Sequence, residues 1–233
     1  MSQSEPFPKP HTARVWLGGA GVALLLFLSA GFILHAVGLG VEGFLRDLSG
    51  ENRLYWPEDP YATAAVFFHM ITGGLITGLA PLQLLGIVRR RWPAIHRWSG
   101  RVLVCLAALT GVSGLTYIAL RGTIGGLDMS LSFSLNGVLM ILCAVQTIRF
   151  ARRRRFDRHR RWALRLAVLC IGSWLYRLHY GLWVLSVGSV GMKDDFTGAF
   201  DLVNIWAFYL PYLVALEIWF RWEARRQPAA VTP

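Results

Sequence analysis

Residues 89–101 read Arg-Arg-Arg-Trp-Pro-Ala-Ile-His-Arg-Trp-Ser-Gly-Arg. This basic, aromatic stretch separates two long apolar runs, 61–88 and 102–120, and neither run contains a charged residue. A bilayer is crossed by about 20 apolar residues in a helix, and short arginine-rich links stay on the cytoplasmic side. The stretch therefore reads as the inner turn of a transmembrane hairpin. Working outward, four more segments meet the same length: 15–39, 129–148, 163–190 and 202–220. The expected fold is all-α: a polytopic membrane protein with six transmembrane helices, helices 2–5 forming a four-helix core and helices 1 and 6 peripheral.

The basic residues agree with one orientation. Nineteen of the 24 Lys and Arg residues fall in the leader, the 2–3 loop, the 4–5 loop and the tail. The opposite loops carry nine of the 13 acids. Both termini are thus expected in the cytoplasm and the protein in the bacterial inner membrane. Residues 1–14 read as a disordered leader, 15–222 as the transmembrane domain and 223–233 as a tail. Val41, Phe44, Leu45 and Leu48 recur at helical spacing, which predicts a short amphipathic helix on the outer surface near 41–49.

Composition excludes much else. The 233 residues are 55% hydrophobic and 16% charged, with mean hydropathy +0.45, too apolar for an ordinary soluble domain. The net charge of +11 follows topology, so nucleic acid is not an expected partner; the lipid bilayer is. Cys105, Cys143 and Cys170 lie inside apolar runs without a CxxC pair and read as small buried hydrophobes. No phosphate-binding, dinucleotide-binding, zinc-protease or serine-hydrolase motif occurs.

The 4–5 loop echoes the 2–3 loop. His96-Arg97-Trp98-Ser99-Gly100-Arg101 has a counterpart in His159-Arg160-Arg161-Trp162-Ala163-Leu164-Arg165. Either a duplicated helical hairpin or convergence of two basic inner loops accounts for this.

Ionisable residues inside spans mark function by default. His69 shares a helix face with Thr72, Gly73, Ile76, Ala80 and Gln83, the small and polar kind of face that meets other helices. It sits roughly 12 Å below the outer end of its helix. Arg177 lies a whole number of turns after His159 and roughly 21 Å above the inner end. The two meet the depth and direction requirements of one shared site. His179 is about 200° around the helix from His159 and faces away unless a neighbour covers it. His35, near the outer end of helix 1, reads as interfacial. Each residue also has a purely structural reading: His69 bonding a neighbouring backbone, Arg177 snorkelling outward or pairing with Asp201, Glu217 pairing with the arginine-rich loops.

Two levels of histidine suit a b-type haem, with His69, His96 and His159 as iron ligands and arginines for the propionates. The outer level has one well-aimed histidine, and its second ligand would be His179 or His35. A quinone, an anion or a lipid head group suits the same outer pocket, as does a transporter built on helices kinked at Pro81 and Pro211. A structural subunit or assembly factor of a membrane complex, with other subunits as partners, is a further reading. If the protein is an enzyme, it is a membrane oxidoreductase component.

The order of these motifs resembles a bacterial family of multipass membrane proteins of unknown function. The resemblance rests on His69, Gln83, the HRxxGR loop (His96, Arg97, Gly100, Arg101), the HxxWxxR loop (His159, Trp162, Arg165), Arg177 and Glu217, and runs over about 61–221. It implies candidate cofactor residues His69, His96, His159 and Arg177, with Gln83, Arg101, Arg165 and Glu217 beside them; His179 lies outside the pattern. The general shape is similar to that of four-helix cytochromes b, an analogy of fold only.

Overall fold

The computed structural model of the protein describes residues 12–226, with side chains from Gly19 onward; residues 1–11, with His11, and the tail 227–233 lie outside the described residues. Eight helices follow one another: α1 (Thr12–Leu45), α2 (Pro60–Leu84), α3 (Gly86–Arg91), α4 (Pro93–Arg121), α5 (Gly126–Arg152), α6 (Phe156–Val187), α7 (Ala199–Ala207) and α8 (Leu210–Arg226). There is no strand among the described residues. Five units are long and apolar enough to cross a membrane: α1, α2, α4, α5 and the α7–α8 pair. α6, at 32 residues, falls outside that set because Arg177, His179 and its arginine-rich first turns lower its hydropathy. It is the sixth crossing, packed along α5 and against α2.

The core is a ring. α2 packs on α4, α4 on α5, α5 on α6, and α6 closes back on α2. These are helices 2–5 of the sequence reading. Ile76 and Ala80 of α2, Leu103 and Ala107 of α4, Ala144 of α5 and Leu166 of α6 are buried together at its centre. α1 lies outside on α2, and α7–α8 lies outside on α5 and α6. One end of the ring carries α3, the α5–α6 turn and most of the arginines; the other carries the acidic loops.

Three departures from the sequence reading have physical causes. Residues 41–45 continue α1 and do not start a separate surface helix. There α1 still rides on α2: a Cβ at Gly40 would stand 2.6 Å from Ile71 Cγ1, and one at Gly43 would overlap the Phe67 ring. This close approach, open only to glycine, holds the last turns on the helix axis. Second, the span 61–88 divides at Leu85, whose extended backbone (φ −67°, ψ 108°) turns the chain into α3. Third, the last crossing breaks between α7 and α8. Pro211 has no N–H for the Ala207 carbonyl, and Phe208 and Tyr209 leave the helix to become buried in the core.

That break anchors the outer pair. The Tyr209 hydroxyl donates to the Ser132 carbonyl at 3.2 Å, and the Ser132 hydroxyl donates to the Ile205 carbonyl. Tyr209→Phe should lower stability by about 1 kcal/mol, the worth of one buried hydrogen bond. Thermal unfolding in detergent, followed by tryptophan fluorescence, measures it.

Candidate functional site

His69 and Arg177 reach one region from two helices. His69 is nine residues into α2 from Pro60, and Arg177 is ten residues before Val187, the end of α6. Both therefore lie roughly 13–15 Å in from the acidic end. No hydrogen bond joins the two side chains; each is held by its own partner.

The His69 ring is held from α4. Its Nδ1 lies 2.9 Å from the Thr110 carbonyl oxygen. A carbonyl only accepts, so Nδ1 carries the proton, and the neutral tautomer with that proton has Nε2 as a bare acceptor. Gly114, one turn on, makes the space: a Cβ there would stand 2.8 Å from Nδ1 and 3.0 Å from Cε1. The structural reading of His69, a bond to a neighbouring backbone, is thus present, and it uses only one of the two nitrogens.

Arg177 does not snorkel toward the acidic end. Its NH1 donates to the carbonyl and hydroxyl oxygens of Ser173, both at 3.0 Å, one turn toward the membrane centre. The guanidinium stacks over Phe32 of α1 at 4.9 Å. It thus reaches from α6 to α1, both of which pack on α2; below it Thr77 of α2 donates to the Cys170 carbonyl at 3.2 Å. Among the described residues no carboxylate pairs with it. Asp201, the expected alternative partner, is fully buried elsewhere and accepts from Tyr180 Oη (2.6 Å) and from the Lys193 and Gly198 backbone N–H groups (2.9 Å each). Asp195, in the same loop, is exposed; donation from the Thr197 hydroxyl and backbone N–H holds its carboxyl below the usual range.

His179 does not join this site. Its Nδ1 donates to Asn204 Oδ1 at 2.7 Å, and its Nε2 accepts from the Tyr212 hydroxyl at 2.8 Å. α7 and α8 cover it, and both nitrogens are spent there. His35 is exposed on α1. An outer iron site of His69 with either of them is therefore not assembled in this structure.

At the arginine-rich end, His96 and His159 each stand at the fourth position of α4 and α6. Each is followed directly by an arginine, Arg97 and Arg160. His159 donates from Nδ1 to the Thr147 carbonyl at 3.0 Å, again leaving Nε2 bare. His96 Nδ1 is buried without a partner. The remaining candidates brace this end. Gln83 donates to Ser99 Oγ at 2.6 Å, tying α2 to α4. Arg101 covers its own Trp98 at 4.8 Å. Arg165 grips Glu217 with two bonds, 2.6 and 3.0 Å, between α6 and α8. Glu217 thus pairs with an arginine.

Sequence reasoning missed Thr110, Gly114, Ser173 and Phe32. Three of them were recoverable from the loop echo. Thr110 and Ser173 each lie 14 residues after a loop histidine, and Gly114 and Arg177 each lie 18 after. Nothing in the sequence singles out Phe32.

Neither the curated proteins nor the solved structures hold a match to this chain. The ring with its paired loops is instead what a family model covers: residues 66–220, from the second turn of α2 into α8, match the family described as Predicted membrane protein (DUF2306), and the chain belongs to that family.

Proposed function

We propose that the protein is a quinone-linked redox component of the bacterial inner membrane, and that it binds quinone or quinol between His69 and Arg177. The observation that carries this reading is an intramembrane cation without a carboxylate among the described residues, at the same depth as an imidazole whose Nε2 has no partner. A quinol hydroxyl donates to such a nitrogen, and a quinone carbonyl accepts from a guanidinium. The two groups are complementary to the two oxidation states of one head group. Arg177 is exposed on α6, so a lipophilic ligand can reach it sideways from the bilayer. On the positive-inside rule the arginine-rich end and both termini are cytoplasmic, which puts the site in the outer half of the membrane.

The test uses purified full-length protein in lipid nanodiscs and a short-tailed benzoquinone analogue, with quenching of tryptophan fluorescence as the readout. Wild type should bind saturably. Arg177→Ala should weaken binding at least about tenfold, since a hydrogen bond involving a charged group is worth about 1.5–3 kcal/mol, and His69→Ala about two- to tenfold, since a neutral one is worth about 0.5–1.5 kcal/mol. His179→Ala should bind as wild type does. Unsaturable quenching of wild type, or unchanged affinity in both site variants, removes the proposal.

A further inference from the structure

The ring has a two-fold character along the membrane normal. The hairpins α2–α4 and α5–α6 pair within themselves, and α4–α5 and α6–α2 join them. α2 thus stands diagonal to α5, and α4 to α6. Equal spacings match this arrangement. Gln83 and Gln146 each precede a loop histidine by 13 residues. The position 27 before His96 is His69, and that before His159 is Ser132.

The two ends treat this symmetry differently. Toward the acidic end it is broken: His69 and Gly114 in one hairpin answer to Ser132 and Arg177 in the other. Toward the arginine-rich end it is kept. His96 and His159 stand at equivalent positions, the fourth residue of each, on diagonal helices.

We infer that His96 and His159 are the axial ligands of one b-type haem held across the arginine-rich end of the ring. The choice of haem follows from the donor set. Among the described residues there is no group of three or more His, Cys, Asp or Glu side chains able to hold a metal ion. A bare divalent cation would have two imidazoles and a field of arginines, too few ligands and the wrong charge. Haem brings four equatorial nitrogens of its own and needs only two axial ones. Its propionates need cations, and Arg97 and Arg160 directly follow the two histidines. The Nδ1–H of His159 is fixed by the Thr147 carbonyl, the outer bond that orients a ligating imidazole and presents Nε2. The buried Nδ1 of His96 has no partner, so that ring is not committed to another bond. The inference deepens the quinone reading by giving it a one-electron carrier, but its test does not pass through quinone binding.

The experiment is spectroscopic. Full-length protein is purified in mild detergent from haem-replete cells, and aliquots are reconstituted with haemin. Oxidised and dithionite-reduced spectra are recorded with a pyridine haemochrome assay. Wild type should carry about one haem per chain with sharp reduced α and β bands, as low-spin bis-histidine iron gives. His96→Ala and His159→Ala should each lose the haem or its low-spin bands. His69→Ala and His179→Ala should keep both. Should an alanine variant fail to accumulate, His96→Met and His159→Met take its place, and each should keep haem with a raised midpoint potential. A wild type colourless after reconstitution overturns the inference. So does wild-type haem content with low-spin bands in both inner alanine variants, or an unshifted potential in both methionine variants. Haem present with no quinone binding would leave this site standing and remove the quinone reading alone.

Discussion

Gly114→Leu should empty the His69 site as completely as His69→Ala does. Even the first carbon of the new side chain would stand 2.8 Å from Nδ1 and 3.0 Å from Cε1, and leucine continues further into the ring. The imidazole must swing out of the α2–α4 interface and lose its bond to the Thr110 carbonyl. That exposes a buried acceptor and overpacks a helix contact, for a stability loss of about 1–3 kcal/mol. Quinone affinity should fall about two- to tenfold, to the level of His69→Ala. The double variant should be no worse than either single one, because both changes remove the same group. Titration in nanodiscs beside thermal unfolding separates the two effects. Gly114→Leu with wild-type affinity would show that His69 need not stand where the structure places it.

The largest loss of stability should come from Asp201→Ala. The carboxylate is fully buried and collects three donors from α6 and the loop before α7. It is the point where the 188–198 loop is sewn to both helices. Alanine leaves those donors facing a cavity, at about 1–3 kcal/mol for each one left unsatisfied. A total of about 3–5 kcal/mol is expected, matching what is found when one partner of a buried charged group is removed. Asp201→Asn keeps one carbonyl-type acceptor but turns an amide N–H₂ toward a donor, so it should fall between alanine and wild type. Melting in detergent, with Trp183 on Phe200 as a local fluorophore, reports the order. Quinone affinity of the folded fraction should stay unchanged, because Asp201 does not touch Arg177.

How far such positions could be read beforehand depended on where their partners lie in the chain. The spans, the ring membership of helices 2–5 and the shared depth of His69 and Arg177 follow from run length and helical period, which are local quantities. The turning away of His179 was also local, a matter of angle. Its partners Asn204 and Tyr212 were not, since they arrive on α7 and α8 only because Pro211 breaks the last crossing. The extra surface helix near 41–49 was misread for a clear reason. The end of a membrane helix leaving the bilayer has one wet face, so it carries the same apolar spacing as a helix lying flat. Gly40 and Gly43 decide between the two, and their meaning appears only when α2 is alongside. Gly114 shows the same limit: a glycine in a membrane helix is ordinary until a ring from another helix is found filling its place.

Arg177 has one more consequence, for how the chain enters the membrane. An arginine near the middle of a lone helix costs about 2.5–3.5 kcal/mol at the translocon, and α6 is the crossing that falls short on hydropathy. α5 precedes it, is apolar, and packs along it. α6 is therefore expected to be threaded in as the second arm of a hairpin, with the arginines of the 152–155 turn held back and the Ser173 oxygens already bonding the guanidinium. An α6 synthesised without α5 should remain outside the bilayer, which makes the biogenesis of this protein depend on the same residue that places a charge within its membrane span.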